Sequence, residues 1–145
     1  MRTIATVGGI GFSPIAPGTL ASLVGLGVSW ILRSAGVWQQ WVGACVGIGL
    51  AVWSAGPTAK AMGKKDPPAV VIDEVAGILV ACAAFPTDWR IYLSCFFLFR
   101  FLDVLKPPFI RQLEKLPGSW GILADDLAAG LLANGLVRGF LLFVP

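Results

Sequence analysis

Apolar residues fill five stretches, 20–32, 37–56, 70–86, 91–105 and 122–144, and polar residues are confined to short islands between them. No stretch alternates apolar and polar residues with the period of two that a barrel strand needs. Helices are expected instead, because a helix satisfies its own backbone in lipid. A full span takes about 20 residues, with a range of roughly 17–25. The first and fourth stretches are shorter, and are expected to tilt, to re-enter or to borrow flanking residues. The pattern predicts an all-α, polytopic helical membrane bundle of four to five membrane-embedded helices. Between the last two stretches, Phe109, Leu113 and Leu116 recur at i, i+4 and i+7, with Arg111, Gln112, Glu114 and Lys115 between them. Pro107-Pro108 and Pro117-Gly118 bracket this segment, which predicts a short amphipathic interfacial helix.

Composition sharpens the class. At 145 residues, 1–145 is expected to form a single membrane-embedded domain. Charged residues make up 13%, against about 25% in soluble domains, and the mean hydropathy is +0.81. The three cysteines, Cys45, Cys82 and Cys95, sit inside apolar runs without CxxC spacing and read as small buried hydrophobes. Histidine is absent, which excludes His acid–base chemistry, His metal ligands and a phosphohistidine intermediate. A net charge of +3 gives no footprint for nucleic acid and suits anionic lipid neighbours. Gly8, Gly9, Gly11, Pro14 and Pro17 interrupt the place of a signal-peptide h-region, so the N-terminus is expected to be retained.

Charge bias orients the bundle. With the N-terminus in the cytoplasm and five crossings, Arg2, Lys60, Lys64, Lys65, Lys106, Arg111 and Lys115 fall inside, and Arg33, Arg90 and Arg138 fall toward the outside. Trp38, Trp41 and Trp89 then mark the outer interface, and Trp53 and Trp120 the inner one. The same topology places Asp66, Asp73, Glu74, Asp103, Asp125 and Asp126 together at the cytoplasmic side. Carboxylates at the edges of apolar runs are costly, about 2.5–3.5 kcal/mol for Asp at a helix centre, so such a cluster points to a cavity, a cation or a base.

Four islands hold the candidate chemistry. Gly8 to Thr19 is glycine-rich and precedes a helix, a setting that favours an anion; Ser13 and Thr19 add hydroxyls, and the bland alternative is a turn-rich loop with a helix cap. Lys60 to Gly77 carries Lys60, Asp66, Asp73 and Glu74. Its acids complement a helix dipole for about 0.3–1 kcal/mol each, less than their insertion costs. Arg100, Asp103 and Lys106 alternate in sign near one helical face and read either as a self-neutralising ladder or as a metal carboxylate beside phosphate-holding bases. Gly118 to Gly130 carries Asp125 and Asp126, which diverge by about 100° on a helix. The combined donors are all oxygen, which suits Mg²⁺ and disfavours zinc. One short internal echo, Asp73-Glu-Val-Ala-Gly77 against Asp126-Leu-Ala-Ala-Gly130, is too brief to indicate duplication.

Read in order, the islands resemble the phosphatidylglycerophosphatase A family. The resemblance lies in Ser13-Pro with Pro17-Gly-Thr19; Thr58-Ala-Lys60 with Asp66-Pro and Val71-Ile-Asp-Glu74; Phe99-Arg-Phe-Leu-Asp103 with Lys106-Pro and Ile110-Arg; and Gly121-Ile-Leu-Ala-Asp-Asp126 with Ala129-Gly130. It implies a multi-pass protein of the bacterial cytoplasmic (inner) membrane with its active site facing the cytoplasm. The implied activity is Mg²⁺-dependent hydrolysis of phosphatidylglycerophosphate to phosphatidylglycerol and phosphate. By position, Asp73, Glu74, Asp103, Asp125 and Asp126 match the family's acidic motifs, as do Arg100 and Lys106. Leu116-Pro-Gly-Ser-Trp120 and Ala21 depart from the family pattern without removing an acid.

The expected mechanism is metal-assisted attack on a phosphomonoester. Asp73, Glu74, Asp103, Asp125 and Asp126 supply metal ligands and one proton acceptor. Arg100, Lys106 and Lys60 stabilise charge on the transferring group. Attack by water and an aspartyl-phosphate intermediate both stay open. The rival class is a cation transporter or channel, which expects acids near mid-span on several helices.

Overall fold

The chain folds into helices that match the apolar stretches in place but not always in length. The computed structural model describes residues 1–143. The chain is all-α, and its principal helices are α1 Arg2–Ala5, α2 Pro17–Leu32, α3 Val37–Ala61, α4 Ile72–Ala81, α5 Trp89–Leu105, α6 Pro108–Arg111 and α7 Ser119–Phe143. The last residue of the predicted stretch 122–144, Val144, lies outside the described residues.

Local chemistry sets the boundaries. Pro17 opens α2, where its missing N–H costs nothing. The Asp88 side chain accepts from the Arg90 N–H at the start of α5, at 2.9 Å. At the other end of α5, Lys106 turns left-handed (φ 44°) and Pro107-Pro108 follow, so the helix cannot continue. At Pro57 in α3 the Ser119 hydroxyl takes over part of the ladder. It accepts from the Gly56 N–H at 2.9 Å and donates to the Val52 carbonyl at 2.6 Å, tying the start of α7 to α3.

Helix α4 is the hub. All of its ten residues except Glu74 are buried, and α2, α3, α5 and α7 pack around it. A helix that is apolar on every side has no solvent face to offer. Its neighbours come close through small residues. A methyl at Gly25 of α2 would collide with Ile78, and one at Gly130 of α7 would collide with the Gly77 carbonyl. Van der Waals contact between backbones at such sites is what holds helices together where lipid removes the hydrophobic drive.

The bundle is apolar outside as well as inside. Leu23 and Val24 on α2, Val42 and Val46 on α3, Phe97 and Phe101 on α5, and Leu131 and Phe140 on α7 are exposed, whereas Gln40, Asp73, Asp125, Asp126 and Asn134 are buried. An apolar exterior on this scale marks a surface that meets something other than water. Among the described residues, α3 and α7 are long and apolar enough to cross a membrane; at 25 residues each they reach about 37 Å, against a hydrocarbon core of about 30 Å. These features fit a membrane-associated protein.

The predicted helix over 70–86 is corrected. Only Ile72–Ala81 is helical, about 15 Å, and Ala84 adopts a left-handed φ of 60°. The reason lies on other helices. The Gln40 amide oxygen accepts from the Ala84 N–H at 2.8 Å. The Asn134 amide nitrogen lies 3.0–3.2 Å from the carbonyls of Val80, Ala81 and Ala83. Arg138 donates to the carbonyls of Ala83 and Ala84 at 3.1 and 3.0 Å, and its guanidinium lies over the Phe85 ring. Asn134 and Arg138 satisfy the carbonyls orphaned at a helix end and Gln40 the N–H of Ala84, so α4 stops inside the bundle. Arg138 is thus a backbone-capping group. Asn134→Ala orphans the Ala81 carbonyl and removes the acceptor of the Arg138 guanidinium, and is expected to cost about 3 kcal/mol. That corresponds to a thermal midpoint in detergent lowered by roughly 6–12 °C, readable by a melting curve.

The predicted amphipathic helix is also shorter than expected. One α turn, α6, gives way to a 3-10 turn over Gln112–Lys115, and Leu116 is extended. Its buried anchor is Ile110, fully enclosed, whereas Phe109 and Leu116 face outward.

Candidate active site

The internal echo in the sequence acquires a physical meaning at the α4–α7 crossing. A methyl at Gly77 would lie 3.0 Å from the Asp126 carbonyl and 2.6 Å from the Phe99 ring, and one at Gly130 would strike the Gly77 carbonyl. The two helices run parallel with matched register, since Asn134 then reaches the carbonyls of Val80 and Ala81. Asp73 and Asp126 each lie four residues before the touching glycines. The crossing therefore sets both carboxylates side by side, one turn toward the same end of the bundle.

That end holds a cavity of about 280 Å³. Its walls contain Asp66, Asp73, Glu74, Asp103, Asp125 and Asp126 with Lys106, closed by Pro67, Pro68, Val70 and Ile122. All six acids placed together by the sequence-derived topology share this cavity. They come from the loop before α4, the first turn of α4, the last turn of α5 and the second turn of α7. The positive end of the α4 dipole favours charge on Asp73 and Glu74.

Two bases flank the acids. Arg100 is ion-paired to Asp103 one turn along α5. The Lys106 ammonium donates to Glu114 at 2.6 Å and to Asp125 at 2.7 Å. Burial pulls the Lys106 pKa down, but its hydrogen bonds to Asp125 and Glu114 outweigh this and hold it above the ordinary lysine range, so it stays charged. Asp73 Oδ1, Glu74 Oε2, Asp125 Oδ1 and Asp126 Oδ2 are buried without a hydrogen-bond partner among the described residues. A buried carboxylate oxygen without a partner is costly, and here they converge. Asp73, Glu74 and Asp126 offer oxygens within 4.8 Å of one another, as do Asp103, Asp125 and Asp126. These acidic clusters can hold a metal ion. A donor set of oxygens with no His or Cys in the cavity fits a hard cation such as Mg²⁺.

Several predicted site residues lie elsewhere. The glycine-rich loop has used its N–H groups internally: Gly8 donates to Thr3, Gly9 and Gly11 to Thr6, Phe12 to Gly9, and Ser13 to Ile10. The Ser13 hydroxyl closes a local turn with Ile15. Lys60 is exposed on the last turn of α3. Neither of these residues nor Thr19 lines the acidic cavity. The Pro17-Gly18-Thr19 segment still matters, because a methyl at Gly18 would collide with Glu74 Oε1 and lie 3.5 Å from Arg100 Nη1. Glycine there leaves the space that the Glu74 carboxylate occupies. The residues that sequence reasoning missed are Glu114, read only as a polar position of the amphipathic segment, and Gly18 in this packing role. Lys65, which donates to the Glu114 carbonyl at 2.8 Å, ties the α6 segment to the loop before α4. The fold-back at Pro107-Pro108 was the available signal for Glu114.

The acids gather at one end beside bases. A mid-span path of acids, expected of a cation transporter, is not the arrangement among the described residues.

The sequence profile of the phosphatidylglycerophosphatase A family matches residues 3–141. The chain is 37% identical over 136 residues to the Escherichia coli (strain K12) protein named phosphatidylglycerophosphatase A, covering 89% of this chain and 76% of that protein. A Haemophilus influenzae protein of the same name is 38% identical over 128 residues, 86% of this chain and 78% of its relative. A Bacteroides thetaiotaomicron protein, named as a candidate phosphatidylinositol-3-phosphatase, is 34% identical over 142 residues, covering 92% and 89% respectively. No solved structure matches the chain significantly. The profile match embraces every residue of the acidic cavity, and the chain belongs to the phosphatidylglycerophosphatase A family of hydrolases.

Proposed function

We propose that this chain removes the terminal phosphate of phosphatidylglycerophosphate, giving phosphatidylglycerol, with Mg²⁺ as cofactor. The supporting observation is one cavity in which buried, unpartnered carboxylate oxygens face each other and two bases stand at the side. Bound Mg²⁺ would polarise the phosphoryl oxygens and lower the pKa of a water. Asp73, Glu74, Asp103, Asp125 and Asp126 would hold it. Arg100 and Lys106 turn from their present acids toward phosphoryl oxygens, where charge-assisted hydrogen bonds are strongest. A carboxylate of the set accepts the proton of the attacking water. The acyl chains stay in the bilayer while the head group enters at the cavity end.

Residues 1–145 act as one membrane domain in this reading. Helices α2, α3, α5 and α7 cross the bilayer, and α4 with the non-helical residues that follow completes a fifth passage. Non-helical backbone at membrane depth is tolerated only inside protein, and Gln40, Asn134 and Arg138 supply that shelter. The cavity end carries Lys106 and neighbours Lys65, which supports a cytoplasmic orientation in the bacterial inner membrane.

Phosphate release from phosphatidylglycerophosphate in micelles, with and without Mg²⁺, tests this. Mg²⁺-dependent release by the wild type and its loss in Asp73→Asn is the expected result; no release from folded protein with Mg²⁺ present overturns it. Phosphatidylinositol 3-phosphate belongs in the same assay, because the Bacteroides relative's name points to that head group. Faster release from it would shift the substrate and leave the phosphomonoesterase reading intact.

A further inference from the structure

The cavity acids form two overlapping triads. Asp73, Glu74 and Asp126 make one, Asp103, Asp125 and Asp126 the other, and in each the donated oxygens lie within 4.8 Å. Asp126 is common to both. The unpartnered oxygens fall on both sides of it: Asp73 Oδ1 in the first triad, Asp125 Oδ1 in the second, and Asp126 Oδ2 itself. Those three residues are 8%, 4% and 3% exposed, so little of their surface reaches bulk solvent.

Charge balance separates one ion from two. The ion pairs of the bases fall on the second triad, Arg100 at Asp103 and Lys106 at Asp125, and Lys106 is shared with Glu114. No base pairs with Asp73, Glu74 or Asp126 among the described residues. A single divalent ion in the first triad would offset two of its three charges and leave Asp125 Oδ1 buried and bare. A single ion in the second would leave the Asp73–Glu74 pair with neither a metal nor an ion-paired base. We infer that the cavity takes two divalent cations side by side, one on Asp73, Glu74 and Asp126 and one on Asp103, Asp125 and Asp126, with the Asp126 carboxylate bridging them. Paired ions about 3.5–4 Å apart are a recurrent device for clamping the attacking and leaving oxygens of a phosphoryl group. The cavity volume of about 280 Å³ leaves room for waters at about 30 Å³ each. This inference rests on the metal-dependent reading above and gives it a stoichiometry. The competing arrangement is one ion, with a proton shared among the remaining carboxylates.

The probe is Mn²⁺ alone, titrated into the purified full chain in detergent and counted by equilibrium dialysis, with electron paramagnetic resonance on the same samples. Two ions per chain and a spin-coupled signal are expected for the wild type. Asp73→Asn and Asp103→Asn are each expected to bind one ion and to lose the coupling, with melting curves confirming that they fold. The coupled signal needs only the wild type, so a variant that fails to fold does not remove the test. One uncoupled ion at saturation, with Mg²⁺-dependent phosphate release intact, overturns the two-ion site and spares the proposed function. No bound ion together with Mg²⁺-independent release overturns both.

Discussion

Asp126→Asn should abolish phosphate release while making the protein harder to melt in the absence of divalent ions. Asp126 is 3% exposed and belongs to both acidic triads, so its loss weakens every arrangement by which the cavity can hold a cation. Disturbing residues outside the ligand shell of a metal commonly costs 10–100-fold, and a shared ligand should cost more than about 100-fold. Stability moves the other way. The Asp126 carboxylate has an unpartnered buried oxygen and lies against other acids with no base of its own. The amide has the same shape, carries no charge and can donate to a neighbouring carboxylate. Relief of about 1 kcal/mol raises the thermal midpoint by roughly 2–4 °C for a chain of this size. Sites that trade stability for activity show this opposition of signs. Asp88→Asn is the control: Asp88 caps α5 away from the cavity, and its substitution should leave release unchanged. Retained activity in Asp126→Asn, or a fall in melting temperature, would remove Asp126 from the centre of the site.

The two kinds of feature differ in how visible they are in the chain. Helix positions were legible because long apolar runs have no other stable form in lipid, and the gathering of six acids was legible because each sits at the edge of such a run. The length of α4 was not. Residues 70–86 are uniformly apolar, and the break after Ala81 is imposed by Gln40, Asn134 and Arg138, which lie 40 or more residues away in sequence. The role of Glu114 was hidden for the same reason, since its partner Lys106 reaches it only after the chain reverses at Pro107-Pro108. Ser13 and Lys60 show the converse, a pattern in the sequence that falls outside the acidic cavity. Glycines that look able to expose N–H groups have closed on themselves, and Lys60 is exposed on α3 and does not line the acidic cavity. The echo of Asp73…Gly77 in Asp126…Gly130 was visible but uninterpretable until the two glycines were seen to touch.

That contact makes Gly130→Ala and Gly135→Ala expected opposites, although both place the same methyl on the same helix. Alanine is favoured over glycine inside a helix by about 0.8–1 kcal/mol, so each substitution begins with that gain. At Gly135 a methyl meets nothing within 4 Å, and the gain stands: the thermal midpoint should rise by a few degrees, with phosphate release unchanged. At Gly130 the methyl strikes the Gly77 carbonyl, a backbone atom held in the centre of α4 that cannot rotate aside. Overpacking of this kind costs about 1–3 kcal/mol, enough to cancel the propensity gain and reverse it. The functional loss should exceed the loss of stability. To admit the methyl, α7 must move away from α4, and Asp126 then separates from Asp73 and Glu74, whose oxygens now lie within 4.8 Å of its own. The expected result for Gly130→Ala is a lower melting temperature, weaker Mn²⁺ binding and severely reduced phosphate release in protein that still folds. Equal behaviour of the two variants would mean that the α4–α7 contact is looser than the structure shows and does not set the carboxylate spacing.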